Sequence, residues 1–449
     1  MKILCHVGPW CKDQFSVIAE GVSPSANVFF LSNFTSIDDF DFRNRVAKRV
    51  KEVVALVPET DSTLNVIARC RLLRGLPLVE AVRLEYSTRI VVGEILDELD
   101  IDLFICESVD QYLHQILFEE CHKRGIKSVG LIRTFVNGYY RFSAMGEYHC
   151  SREVSVDEID RVRSDLLQDD YIPNNLVALK RSLSKTYYRI MFSNMVRVFW
   201  FFILCKVPIN KYHYHYRVSY ENTRRESLHL FPMKDLGLDD WRERLSKEKL
   251  TIFIPLQHFP EATIDYWAHD IGLVNYESTL LKFVERYAKH FNIVFKEHPG
   301  VWGYRKPSFY RRFDRFGDDV IFAPTESLSN ECLKNVDAVV TYTGSIGFEA
   351  MLRGIPVLSF TEPYYSNCFQ SLFKTISLDA DPEEIELFLR NSKASRPEDI
   401  SGSVSKLLQG FRKGVFRNNG SFDKRNPVHI EEALNIGIDI KEELVSGTI

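Results

Sequence analysis

Four polar segments carry residue types that could do chemistry, and three of them lie in the second half of the chain. Thr341–Phe360 reads TYTGSIGFEAMLRGIPVLSF. In its Thr343-Gly344-Ser345 turn, Thr343 or Ser345 can cap the helix that follows, and Gly344 lets a ligand approach the backbone. First-turn N–H groups and the helix dipole favour a phosphate at such a turn. Glu349 shares a face with Ser345 by i,i+4 spacing and can accept hydrogen bonds from vicinal hydroxyls such as those of a ribose. The second segment, FKEHPG (Phe295–Gly300), puts His298 just past an apolar run. There an imidazole can donate to a phosphate or sugar oxygen, with Pro299 and Gly300 turning the chain. Alternation lets only one of Lys296 and Glu297 face a ligand. The third, IPLQHFPE (Ile254–Glu261), offers Gln257, His258 and Glu261. Glu261 is acid–base or nucleophile material, unless the stretch is a plain polar loop.

The fourth segment lies in the first half, where Glu107, Ser108 and Asp110 follow the apolar run Leu103–Cys106. Ser108 or Asp110 suits a helix cap, which leaves Glu107 as the acid or base of an acceptor side. His6-Val7-Gly8-Pro9-Trp10 gives a mouth loop in which Trp10 could stack on a sugar or act as a lid over the core. Arg133 and Tyr139–Arg141 form a further rim on this reading.

These residues need strands and helices to hold them. Lys2–Val7, Val28–Leu31, Leu103–Cys106 and Ser128–Leu131 read as buried strands. Between them, helices are predicted at Phe40–Ala55, Leu78–Leu99 and Val109–Arg124, the last stopped by Gly125. A second block repeats the alternation. Its strands are predicted at Leu250–Pro255, Asn292–Lys296, Val320–Phe322, Ala338–Thr341 and Ile355–Ser359. Its helices are predicted at Glu277–His290, at Leu328–Lys334 and from Ser345 to a stop at Gly354. The predicted fold is α/β, with two Rossmann-like domains facing a cleft, a helical insertion and C-terminal helices. The boundaries are 1–150 for the first domain, 151–235 for the aromatic-rich insertion, 236–380 for the second domain and 381–449 for the last helices. Ligands of such sheets bind beyond the carboxyl ends of the strands, where all four segments fall.

Composition narrows the function classes. The chain has 449 residues, 45% hydrophobic, with 57 Lys+Arg against 61 Asp+Glu and a net charge of -4. That balance excludes a broad nucleic-acid footprint. The nine cysteines are scattered without C-x-x-C or zinc-ligand spacing, which excludes a disulfide framework and predicts a cytoplasmic protein with no metal and no cofactor. No G-x-G-x-x-G follows the first strand, Walker and G-x-S-x-G signatures are missing, and no D-x-D closes a predicted strand. Aromatics reach 13%, many of them between Tyr187 and Tyr220. The apolar run Val198–Cys205 (VFWFFILC) is too short to span a bilayer. It reads first as a buried helix, and second, with the basic and aromatic residues around it, as a peripheral membrane contact through 191–217.

The His298-Pro299 pair, the Thr343-Gly344-Ser345…Glu349…Gly354-x-Pro356 run, and the tandem domains resemble GT-B glycosyltransferases. Pro255-Leu256-Gln257 and Lys296-Glu297-His298-Pro299 are similar to the P-L-Q and K-x-H-P of the bacterial capsule polysaccharide biosynthesis group, which contains transferases for Kdo and related acidic sugars. The resemblance covers Leu250–Phe360 and is architectural elsewhere. It implies a donor activated as a cytidine monophosphate sugar, a glycan or glycolipid acceptor, and a location at the inner face of the cytoplasmic membrane. By position it implies that Lys296, His298, Thr343, Gly344, Ser345 and Gln257 hold the donor nucleotide, with Glu349 on its ribose or base edge. The group's carboxylate after P-L-Q falls on Glu261, where an aspartate is expected; as nucleophile it would retain anomeric configuration, whereas direct activation of the acceptor by Glu107 would invert it. His6, Trp10, Asp110 and Arg133 would then belong to the acceptor side. A UDP-sugar transferase or nucleotide-sugar 2-epimerase relative, a CDP-alditol phosphotransferase and a non-catalytic polysaccharide-assembly module are the alternatives.

Overall fold

A computed structural model describes residues 1–53, 60–150, 152–168, 171, 173, 183–219, 237–298, 305–394, 399–417 and 420–447. Pro299 and Gly300, the tail of the predicted helix beyond Val53, and the end of the predicted insertion (220–235) lie outside the described residues. The chain forms two units, one of Met1–Glu153, Phe201–Ser219 and Leu408–Ile449, the other of Val154–Trp200 and Tyr220–Leu407.

The first unit is built on β1 (Lys2–His6), β2 (Asn27–Leu31), β3 (Leu103–Glu107), β4 (Lys127–Arg133) and β5 (Tyr139–Phe142). The second carries β6 (Thr251–Pro255), β7 (Asn292–Lys296), β8 (Val320–Ala323), β9 (Ala338–Thr341), β10 (Val357–Ser359) and β11 (Phe373–Thr375), and β12 (Arg412–Lys413) returns to the first. The sheet orders are β12-β5-β4-β3-β1-β2 and β11-β10-β9-β6-β7-β8. β1 to β4 and β6 to β11 pair in parallel, and only β5 and its partners pair antiparallel. Both units are therefore Rossmann-like α/β domains, as the alternation of strands and helices predicts.

Both faces of each sheet are covered, and for that reason the strands read as near-continuous apolar runs. In β1 the period of two sends Ile3 and Cys5 into one core layer and Leu4 into the other. The helix stop at Gly354 is borne out. Gly354 has φ +75°, its N–H donates to Met351 O, and Ile355 N donates to Ala350 O, the paired bonds of a Schellman motif.

Four expectations change. Tyr139–Arg141 is no rim: it lies in strand β5, between β12 and β4, in which Tyr140 and Arg141 are buried. The C-terminal block 381–449 is divided, because β12 pairs with Tyr139 and Tyr140 while helix Pro427–Ser446 packs on helix Lys12–Val22. That crossing needs bare backbone: a Cβ on Gly437 would sit 2.1 Å from Ile18 O, and one on Gly21 would sit 2.3 Å from Leu434 O. The insertion 151–235 is likewise shared. Helix Val156–Leu167 belongs to the second unit, and helix Leu183–Lys206 passes from it into the first. Val198–Cys205 is not buried: Phe192, Met195, Val196, Phe199, Trp200, Phe202 and Ile203 of this helix are exposed. Eight consecutive apolar residues encircle a helix, and one side alone cannot bury them all. Among the described residues no helix is long and apolar enough to cross a membrane.

Candidate active site

Parallel sheets leave a crevice where successive connections diverge to opposite sides. In the second unit that point lies between β6 and β9, because the chain moves outward from β6 to β7 and β8, then from β9 to β10 and β11. The loop after β6 and the turn after β9 meet there. Gln257 has its side-chain amide against Gly344: a Cβ on Gly344 would lie 3.0 Å from both Gln257 Nε2 and Thr341 Oγ1. Gly344 N donates to Thr341 Oγ1 at 3.3 Å, and the Tyr365 hydroxyl donates to Gly344 O at 2.5 Å. Gln257 Oε1 is buried without a partner.

Neither Thr343 nor Ser345 caps the helix Ile346–Leu352. Thr343 Oγ1 donates to Thr263 O at 3.1 Å, tying the two loops together, and Ser345 Oγ donates to Glu349 Oε1 at 3.3 Å. The i,i+4 pairing is therefore real and the capping is not. Ser345 is already helical in φ and ψ, which turns its hydroxyl down the helix face. Glu349 is buried, and desolvation raises its carboxyl above the usual carboxylate range against the opposing pull of Arg353 and the Ser345 hydroxyl.

Beside this crevice, β7 ends in Lys296-Glu297-His298. Glu297 faces into the domain: it accepts from Arg305 Nε at 2.8 Å, from the Tyr310 hydroxyl at 2.5 Å and from His298 N at 2.6 Å. Arg305 also donates to Gln257 O at 2.9 Å, and Gln257 N donates to the Tyr276 hydroxyl at 2.8 Å. The Glu297–Arg305 pair thus locks the loops after β6 and β7 together. Lys296 is buried at the strand end. His298 stands edge-on to His258, with ring centroids 6.2 Å apart. Burial, then the charge repulsion of His258, brings its imidazole down to about 4, so it is neutral at physiological pH. Glu261 begins the helix Ala262–Asp265 and accepts from Thr263 Oγ1 at 2.9 Å.

The first unit has the corresponding crevice between β1 and β3. A concavity of about 510 Å³ opens there, its walls including His6, Gly8, Trp10, Glu107, Asp110 and His114. Trp10 is exposed at its mouth. Neither Ser108 nor Asp110 caps the helix Tyr112–Lys123, which starts at Gln111. Ser108 N instead extends the ladder to Leu131 O, and Asp110 Oδ1 lies 3.2 Å from His114 Nδ1. His114 was not among the residues singled out in the sequence, although its i,i+4 spacing from Asp110 is the signal that finds it. Burial and the negative charge of Asp110 push Glu107 up to about 8. Arg133, placed on the acceptor side by sequence, donates to Phe416 O at 2.8 Å and anchors the C-terminal segment. Tyr214 and His215, expected at a membrane surface, line this concavity.

Among the described residues no three His, Cys, Asp or Glu side chains are arranged to hold a metal ion. Among the described residues no cysteine is in a disulfide.

Residues 194–369 match the family described as capsule polysaccharide biosynthesis protein. No curated protein matches the chain. Among solved structures it is similar to the KpsC beta Kdo 2,7 transferase of Thermosulfurimonas dismutans, at 13% identity over 98% of this chain and 100% of that one, with a TM-score of 0.38. It is also similar to the UDP-GlcNAc 2-epimerase of Neisseria meningitidis, at 11% identity over 91% and 99% of the two chains, with a TM-score of 0.25. Identities and TM-scores this low say nothing of chemistry. The matched residues hold the β6/β9 crevice, and over them the chain is similar to the capsule polysaccharide biosynthesis family.

Proposed function

We propose that this chain is a glycosyltransferase that moves an acidic sugar, Kdo or a nonulosonic acid, from a cytidine monophosphate donor to a glycan or glycolipid acceptor. The observation that carries the reading is the convergence of Gln257, Gly344, Ser345 and Glu349 at the β6/β9 crevice, with His298 beside it at the end of β7. These groups suit one phosphate and one ribose. The neutral imidazole of His298 would donate to the phosphate as it leaves, where stabilisation of developing negative charge counts most. The carboxyl of Glu349, next to the Ser345 hydroxyl, would take the ribose. Glu261 would stand near the anomeric carbon as nucleophile or as electrostatic support for an oxocarbenium-like state. The acceptor belongs to the β1/β3 concavity of the first unit, with Trp10 to stack on a sugar and Glu107 beside it.

Thermal unfolding with CMP, CDP, UDP and GDP tests the donor, because a ligand that binds only the folded state raises its apparent stability. CMP should give the largest rise in Tm. A larger rise with UDP would overturn the reading in favour of a UDP-sugar enzyme.

The aromatic helix supports a membrane-proximal site of action. Phe199, Trp200 and Phe202 are exposed on it, close to Arg197 and Lys206, as in a helix that lies in an anionic interface. Sedimentation with phosphatidylglycerol vesicles should carry the chain down, and Phe199→Ser with Trp200→Ser should leave it in the supernatant. Equal sedimentation of the two would exclude this contact.

A further inference from the structure

We infer that His6 is the proton acceptor for the acceptor hydroxyl, and that His114 and Asp110 set its protonation pattern through a fixed chain of contacts. The inference rests on the transferase reading for the identity of the hydroxyl and on the first unit alone for its geometry.

His6 ends β1 and is buried. Its Nδ1 lies 2.7 Å from His114 Nε2, with the two rings edge to face at 80°. On the far side of His114, Nδ1 lies 3.2 Å from Asp110 Oδ1, a charge contact in which neither atom completes a hydrogen bond. A carboxylate at that distance favours the proton on Nδ1 of His114, which leaves its Nε2 with a lone pair. Two groups then point donors at that lone pair: His6 Nδ1, and the side-chain amide of Gln111 at 3.2 Å. With its proton committed at Nδ1, His6 is left with a bare Nε2. That atom is buried without a partner, and the ring forms part of the concavity wall. A buried acceptor with nothing to accept is costly unless a ligand supplies the donor.

A sugar hydroxyl is such a donor. As the acceptor oxygen bonds to the anomeric carbon, that carbon's bond to its leaving oxygen breaks and the electron pair departs with the leaving group. The hydroxyl proton passes to His6 Nε2. The imidazolium keeps its Nδ1–H toward His114, with Asp110 behind it to offset the charge, and then gives the excess proton to water. The step is the same whether the leaving oxygen is the donor phosphate or a carboxylate of a glycosyl-enzyme. Burial and the neighbouring His114 hold His6 well below its ordinary range, so it rests as the neutral base, and Asp110 works in the opposite direction to strengthen it. Glu107, beside it and protonated at neutral pH, is left to donate to the bound substrate. His114 and Asp110 are positioning residues on this account.

Long-range proton–nitrogen NMR on the full chain, with imidazole nitrogens labelled, reads the tautomers directly. Both His6 and His114 should carry their proton on Nδ1, the minor form of free histidine. In Asp110→Ala the proton of His114 should move to Nε2. Nε2-protonated His6 in the wild type, or tautomers unmoved by Asp110→Ala, would overturn the inference. With CMP-Kdo as donor, His6→Gln should lower kcat by about a hundredfold to ten-thousandfold while CMP affinity stays unchanged. A kcat within about threefold of wild type would equally overturn it. If the wild type binds no CMP, the donor reading fails on its own, and the tautomers still decide the relay.

Discussion

Arg305 donates to Glu297 at 2.8 Å inside the second unit, and this buried pair settles which member of the Lys296-Glu297-His298 run is structural. Both side chains are buried, Tyr310 donates to the same carboxylate oxygen, and Arg305 reaches on to the backbone of Gln257. Glu297 holds the strand ends in place so that His298 can face a ligand.

Removing Glu297 should therefore be costly to the fold. Glu297→Ala leaves a buried guanidinium without its carboxylate, and loss of one partner of such a pair costs about 3–5 kcal/mol. Urea unfolding should show the midpoint falling by a corresponding amount. A midpoint within experimental error of wild type would mean that Arg305 finds another anion.

His298 is expected to work as a neutral hydrogen-bond donor. Its pKa of about 4 lies below the ordinary value, so the charged form is absent near neutrality and appears only as the pH falls through that value. CMP binding by the wild type and by His298→Asn should then share one pH dependence between about pH 5.5 and 8. Extra tightening of the wild type below about 6.5 would show a histidine that charges normally. Turnover in His298→Ala should drop by about a hundredfold to a thousandfold, the usual loss for one donor aimed at a developing anion.

Glu107 makes a prediction of opposite sign. Its raised pKa of about 8 keeps the proton on at neutral pH, and ionisation begins only as the pH rises through that value. If the protonated carboxyl donates to substrate, activity falls along an alkaline limb near pH 8. Glu107→Gln should keep most of the activity and lose that limb, because an amide also donates. Glu107→Ala should lose about tenfold or more, the worth of a buried hydrogen bond. An inactive Glu107→Gln would restore Glu107 as the base.

The closest backbone approach in the first unit gives a stability test remote from any site. Gly437→Ala places a methyl 2.1 Å from Ile18 O, so helix Pro427–Ser446 must shift off helix Lys12–Val22. Overpacking of this kind costs about 1–3 kcal/mol. Urea midpoints should fall while CMP-induced stabilisation, which belongs to the second unit, persists. An unchanged midpoint would contradict the helix contact.

Much of this was legible from residue order. Apolar runs separated by charged helices gave strands β1, β3, β6, β7 and β9, because burial on both faces of a parallel sheet leaves a local signature. The turn and helix around Gly344 and Glu349 were legible for the same reason, since the i,i+4 spacing and the Gly354 stop act within a few residues. The short strands β5, β11 and β12 were not, because their own runs are only two to four residues long.

What the tertiary structure alone decided is where polar atoms find their partners. Nothing local marks Glu297 as an anchor; Arg305 and Tyr310 do that, eight and thirteen residues away. His6 and His114 are separated by 108 positions and meet at 2.7 Å only because β1 and β3 pair in register. Local pattern therefore determined the elements and the loops that carry chemistry. Long-range packing determined which side chains in those loops are already satisfied and which are left, buried and unpartnered, for a ligand. The physical reason is that a hydrogen bond is made between atoms near in space, whereas hydrophobic periodicity is written along the chain.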